Sequence, residues 1–130
     1  FRMHAALTMT KIVVADVDAA AAFYMAVCGF TVAQRIEDDR FCEIILQSPE
    51  PRSAALIVIN YKGAPPATPG ECILVFETSD IGAFVARVVA AGGTVTTPTQ
   101  TIAALDLAYA MLCDPEGHIV EALQRGGVTK

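Results

Sequence analysis

Residues 11–32 read KIVVADVDAAAAFYMAVCGFTV, and residues 72–95 read CILVFETSDIGAFVARVVAAGGTV. The two stretches carry the same punctuation. Each opens on a β-branched apolar run of strand character, Thr10 to Ala15 in the first and Cys72 to Thr78 in the second. An aspartate follows. Asp16 or Asp18 can cap the first helix and Asp80 the second, by accepting orphan backbone N–H groups. Good helix formers come next: Val17, Ala20, Ala21, Tyr24 and Cys28 recur at helical spacing, and IGAFVARVVAA fills the same place in the second stretch. Gly29 and Gly92-Gly93 end the helices, since glycine tolerates the left-handed conformation that closes one. Both stretches then return to strand character at Thr-Val. Asp16 and Asp80 are 64 residues apart, and such a spacing reads as a duplication.

Outward from the two stretches the repeat continues. After the first helix come a strand from Phe30 to Arg35, a turn at Glu37–Arg40, and strands Phe41–Gln47 and Ala54–Tyr61. After the second come a strand from Gly93 to Thr97, a loop from Pro98 to Asp106, and a strand from Leu107 to Leu112. The turn Asp114-Pro115-Glu116-Gly117 has proline where its fixed φ fits, and His118–Leu123 is the last strand. Each half is a βαβββ unit. The first repeat covers about residues 9–61, the second about 71–123, and the Pro/Gly-rich stretch 62–70 links them. Neither unit alone is long enough for a robust core. The expectation is an α+β fold on residues 1–130, in which duplicated βαβββ modules form one curved mixed sheet around a cup-shaped cavity, with the helices outside.

Composition narrows the function. The chain of 130 residues is 54% hydrophobic and 18% charged, which excludes disorder as its main state. Its net charge of −5 argues against nucleic acid and against anionic membranes, which need a basic surface. No run approaches the length of a membrane span, and no signal peptide is expected at the N-terminus. Cys28, Cys42, Cys72 and Cys113 form no CxxC pair and lie in apolar surroundings. They read as reduced core thiols of a cytoplasmic protein.

The string KIVVADVDAAAAFYMAVCGF resembles the first half of a vicinal oxygen chelate domain, VFETSDIGAFVARVVAAGG its second repeat, and DPEGHIVE (residues 114–121) its closing strand. That superfamily includes glyoxalase I, bleomycin-resistance proteins, fosfomycin-resistance enzymes and extradiol dioxygenases, and the resemblance covers residues 9–123. It implies four metal ligands. One lies on the first strand of each half, seven residues before the capping aspartate, where histidine is usual. One lies on the last strand of each half. Here those places hold Met9, Ile73, a residue near Val58, and Glu121. One carboxylate does not make a catalytic metal site, so no metal or other cofactor is expected. The resemblance also implies a homodimer, for which exposed apolar positions of the Ala-rich helix would serve.

Residues two apart on a strand share a face. If Met9 faces the cup, so do Lys11 and Val13; with Ile73 go Val75 and Glu77; with Glu121 goes Ile119. The candidate ligand-binding residues are Met9, Lys11, Val13, Ile73, Val75, Glu77, Tyr109, Met111 and Glu121, with Lys11 and Glu121 as candidate catalytic groups. Lys11 amid IVVA is unusual and reads as an anion anchor or base, or as a chain that snorkels to solvent. Lys11 and Glu121 are expected to face each other where a metal would sit. Tyr109 and Met111 also read as plain core. Glu43 faces either the cup or solvent. His118 alternates away from Glu121 and is expected on the exposed outer face. His4 lies near the terminus and carries little weight.

Four functions fit. The first is a binding module that holds a small, partly apolar ligand without a metal. With no Trp and 7% aromatics, stacking of a flat cationic drug is poorly served. The second is a metal-independent lyase or isomerase in which Lys11, Glu77 or Glu121 moves a proton. The third is a glyoxalase-type metal lyase drawing ligands from elsewhere, such as Glu43, Glu71 or His118. The fourth is a structural dimer without a small ligand.

Overall fold

A computed structural model describes residues 5–65, 68–70 and 72–128; His4 and Glu71 lie outside the described residues. The chain divides into two compact units, Phe1–Ala67 and Thr68–Lys130. The first contains β1 (Met9–Val13), α1 (Val17–Cys28), β2 (Thr31–Glu37), β3 (Phe41–Gln47) and β4 (Ala55–Tyr61). The second contains β5 (Ile73–Glu77), α2 (Ile81–Ala90), β6 (Thr94–Ile102), β7 (Leu107–Cys113) and β8 (Ile119–Arg125). The fold is α+β.

The eight strands form two four-stranded mixed sheets, ordered β1-β4-β3-β2 and β5-β8-β7-β6. The expected single curved sheet is thus two sheets by hydrogen bonding. The first strand of each module pairs in parallel with the last strand of that same module, so each sheet is built from one module's strands.

The caps behave as their chemistry requires. Asp16 accepts from the Ala19 N–H and Asp80 from the Ala83 N–H, each at 3.0 Å. Gly29 has φ +72°, and its N–H returns to the Met25 carbonyl. Each helix covers one face of its own sheet. Asp18 of α1 bonds Arg35 of β2 at 2.7 Å, which places Arg35 and its register partner Ile44 on the helix side. Phe84 of α2 packs its ring 6.0 Å from that of Phe76, so Leu74 and Phe76 face α2. Along β7 burial alternates strictly, with Ala108, Ala110 and Leu112 buried and their neighbours half-buried.

Three expectations are corrected. The loop expected from Pro98 continues as strand to Ile102, followed by a short 3₁₀ turn to Leu105. Proline is tolerated because β6 is an edge strand and its register shifts between Thr97 and Gln100. The cysteines are free but are not all core: Cys42 is buried, Cys28 and Cys113 are half-buried and Cys72 is exposed. Burial pushes the Cys42 thiol above its ordinary range. His118 is not exposed. Its side chain is 11% exposed, and Nδ1 lies 2.9 Å from the buried Asp114 carboxylate, because the tight turn folds the ring back over its own first residue.

Charges knit the β2–β3 hairpin. Lys62 Nζ donates to Glu37 Oε2 at 2.9 Å and to the Asp38 carbonyl at 2.7 Å. The hydrogen bond and charge of Lys62 hold the Glu37 carboxyl below its ordinary 4.5. A carboxylate so depressed supports the fold above its unfolded pKa, and that support is lost as pH falls through the folded value. Lys62→Met is expected to return Glu37 toward 4.5, read by NMR titration of the side-chain carboxyl; an unmoved titration would remove Lys62 as the cause.

Candidate functional site

With a helix on one face of each sheet, the candidate residues lie on the opposite face. In the first unit β1 sets Met9, Lys11 and Val13 on that face, and they pair in register with Ala55, Ile57 and Ile59 of β4. On β3 the same face carries Ile45, opposite Ile57, and Glu43, opposite Ile59. Met9 is 50% exposed. In the second unit the helix-free face carries Ile73, Val75 and Glu77 of β5 beside Ile119, Glu121 and Leu123 of β8. Tyr109 and Met111 of β7 lie opposite Leu123 and Glu121.

The charged candidates differ in their partners. Glu77 is exposed, and its Oε1 accepts from Arg125 Nε at 3.1 Å, so an ion pair at the end of β8 satisfies it. Glu121 is half-buried between Val75 and Met111, and no hydrogen bond or ion pair reaches it among the described residues. The carboxylate therefore stands on an apolar face with its acceptors unused. Ile73 and Val75 beside it are 50% and 54% exposed.

Lys11 has a partner that the sequence could not choose. Its Nζ lies 3.8 Å from Glu43 Oε2, within the first unit. The ion pair that Lys11 makes among the described residues is thus with Glu43. Strand alternation gives β3 two faces but does not say which one the helix covers; the Arg35–Asp18 bond decides that, and with it the side of Glu43.

The register also revises the first-half counterpart of Glu121. Glu121 pairs with Val75 in the middle of β5, and the residue that pairs with Lys11 in the middle of β1 is Ile57. Val58 is on the helix side, opposite Ile12 and Ile44, and is fully buried. The four positions where the resemblance implies metal ligands therefore hold Met9, Ile57, Ile73 and Glu121. Three hydrocarbon or thioether side chains and one carboxylate do not fit a hard or borderline divalent ion. Among the described residues no three His, Cys, Asp or Glu side chains are grouped as a metal site would need. His118 is engaged with Asp114 in the turn.

Comparison with known proteins agrees with this architecture. The sequence profile of the Glyoxalase/Bleomycin resistance protein/Dioxygenase superfamily matches residues 4–122. No curated protein matches the chain in sequence. Among solved structures, a glyoxalase/bleomycin resistance protein/dioxygenase family enzyme from Burkholderia phytofirmans PsJN is similar at TM-score 0.73 and 20% identity, over 93% of this chain and 99% of that one. A glyoxalase/bleomycin resistance protein from Albidiferax ferrireducens T118 gives 0.69 and 24%, over 92% and 98%. Glyoxalase I from Zea mays gives 0.78 and 17%, over 91% of this chain but 45% of the maize protein. At these identities the structures share the fold, and the fold alone does not name a reaction.

Proposed function

The chain belongs to the glyoxalase/bleomycin resistance protein/dioxygenase superfamily, and from that premise we propose that it binds a small, partly apolar ligand without a metal, with Glu121 as its polar anchor. The observation that carries this reading is the Glu121 carboxylate between Val75 and Met111, which has no partner among the described residues. A carboxylate on an apolar face, away from competing donors, offers a charge-assisted hydrogen bond to an incoming cation. The exposed Ile73 and Val75 side chains beside it offer apolar area to the rest of the ligand. Met9, Ile57 and Ile73, where metal ligands would be needed, support a site that works by direct contact.

A second reading takes the same carboxylate as a general base in a metal-independent lyase or isomerase, with Lys11 as the alternative group. The free acceptors of Glu121 favour it, since a base must reach the proton it removes. It would be distinguished by turnover, not by affinity. A cytoplasmic location is part of the proposal, supported by four cysteines that stay as free thiols. So is a homodimer, with sedimentation velocity as its check.

The test is calorimetric titration of the purified protein with hexylamine, whose ammonium and alkyl chain mimic the proposed ligand class. Glu121→Gln is expected to weaken binding about tenfold or more, the worth of one charge-assisted hydrogen bond. Equal affinity in wild type and Glu121→Gln would end the reading, and so would stoichiometric metal in protein purified without chelators.

A further inference from the structure

The sequence singled out Glu43 without assigning it, and the function proposed above does not use it. Its side chain is 9% exposed, and the residue sits on an inner strand of its sheet. On its face Ile59 of β4 stands to one side and Ile36 of β2 to the other. No hydrogen bond reaches the carboxylate among the described residues. Its one compensation is the Lys11 ammonium at 3.8 Å, beyond hydrogen-bond distance. Among the described residues no buried side-chain oxygen lacks a hydrogen-bond partner, so the Glu43 carboxylate keeps a path to solvent beside the half-exposed Lys11, and a small molecule can reach both groups.

The duplication shows that the module does not need this pair. Lys11 pairs in register with Ile57, and the corresponding β5 residue, opposite Glu121, is Val75. Glu43 pairs with Ile59, and the corresponding β7 residue, opposite Leu123, is Tyr109. The second unit therefore builds the same ladder with an aliphatic and an aromatic side chain at these two places. A pair that the fold can omit, that is too long for a hydrogen bond and that solvent can reach leaves one donor and one acceptor for a ligand to bridge.

We propose that Lys11 and Glu43 form a binding site for a neutral carboxamide, whose carbonyl accepts from Lys11 Nζ while its N–H donates to Glu43. The chemistry follows from the pair. It is neutral in sum, so it gains little from a free cation or a free anion. It presents one donor and one acceptor side by side, the complement of an amide edge. Ile45, Ile57 and Val13 on the same face supply apolar contact for a short hydrocarbon tail. The proposal rests on the reading that the protein binds a small ligand and names the functional group that this half of the protein recognises.

The test uses the full chain with isoleucine δ1 methyls labelled for NMR. It is titrated separately with hexanamide, hexanoate and hexylamine, which share one tail and differ in head group. Hexanamide is expected to shift the Ile57 and Ile59 methyls at lower concentration than hexanoate or hexylamine does. Lys11→Met and Glu43→Gln are each expected to raise its dissociation constant about tenfold. Because Glu43→Gln keeps shape but changes one donor–acceptor pattern, Glu43→Leu is the second variant; it removes the acceptor and sets an apolar side chain between Ile36 and Ile59, so it is expected to fold like wild type yet fail to bind. Hexanamide shifts that survive all three substitutions would overturn the proposal. Hexylamine binding that depends on Glu121, with no hexanamide response at Ile57 or Ile59, would overturn it and leave the proposed function standing. Silence from all three probes would overturn both.

Discussion

Val58→Glu is expected to unfold the protein or leave it barely stable, whereas Ile57→Glu, one residue earlier, is expected to lose less stability. Val58 is fully buried on the helix side of β4, between Ile12 and Ile44. A carboxylate there loses its hydration and meets no donor. The desolvation of an unpaired charge costs several kcal/mol, and the lost apolar burial adds about 2 kcal/mol. The sum, about 4 kcal/mol or more, takes most of the stability of a small domain at the lower end of the usual range of about 5–15 kcal/mol. Ile57 is also buried, but its side chain points to the helix-free face, and its register partner on β1 is Lys11. An opposite charge directly across a pair of strands returns about 0.2–1 kcal/mol, which Lys11 would divide between the new carboxylate and Glu43. Urea denaturation followed by far-UV circular dichroism separates the two. Equal losses would mean that the helix-free face at Ile57 excludes a charge as fully as the helix side does at Val58. The result also bears on the site, because a carboxylate at position 57 gives the first module what Glu121 gives the second.

Asp114→Ala is expected to cost about 2–4 kcal/mol, the second large effect. Asp114 is 4% exposed. Its Oδ1 accepts from the backbone N–H groups of Glu116 and His118, each at 2.9 Å, and its Oδ2 lies 2.9 Å from His118 Nδ1. Hydrogen bonds to a charged group contribute about 1.5–3 kcal/mol each and are not additive when they share one carboxylate. Alanine deprives two backbone donors of their acceptor in a turn that is already demanding, since Gly117 has φ +94° and closes a backbone bond to the Asp114 carbonyl. Asp114→Asn keeps an oxygen where Oδ1 stands, so it is expected to recover more than half of the loss. Thermal unfolding would read the alanine variant about 10 °C lower. If asparagine proved as damaging as alanine, the capping role of Oδ1 would be wrong. The turn matters for function because it launches β8, which carries Glu121.

The two effects divide along the line between local and non-local information. The aspartate caps, Gly29, the Asp114–Gly117 turn and the strand–helix–strand punctuation depend on residues within a few positions of each other, and their chemistry acts alike in any context. The duplication needed only two such stretches to be compared. Membership of the family followed from the same residues, and so did the unsuitability of Met9 and Ile73 as metal ligands. Pro98 marks where local reasoning ends: proline stops a strand that has neighbours on both sides, but β6 has one neighbour, and edge position is a property of the sheet.

Alternation along a strand states which residues share a face, while the identity of the covered face depends on where the helix packs. That single tertiary fact moved Glu43 to the side of Lys11 and Val58 to the opposite side, and the strand register made Ile57 the counterpart of Glu121. It also explains why the charged candidates could not be ranked from sequence. Glu77, Glu43 and Glu121 are chemically the same group, and they differ in what lies across the neighbouring strand: Arg125 for the first, Lys11 for the second, and no partner among the described residues for the third. Local hydrogen bonding and hydrophobic period determined the modules. Register and packing between strands distant in sequence decided which side chains are left to do chemistry.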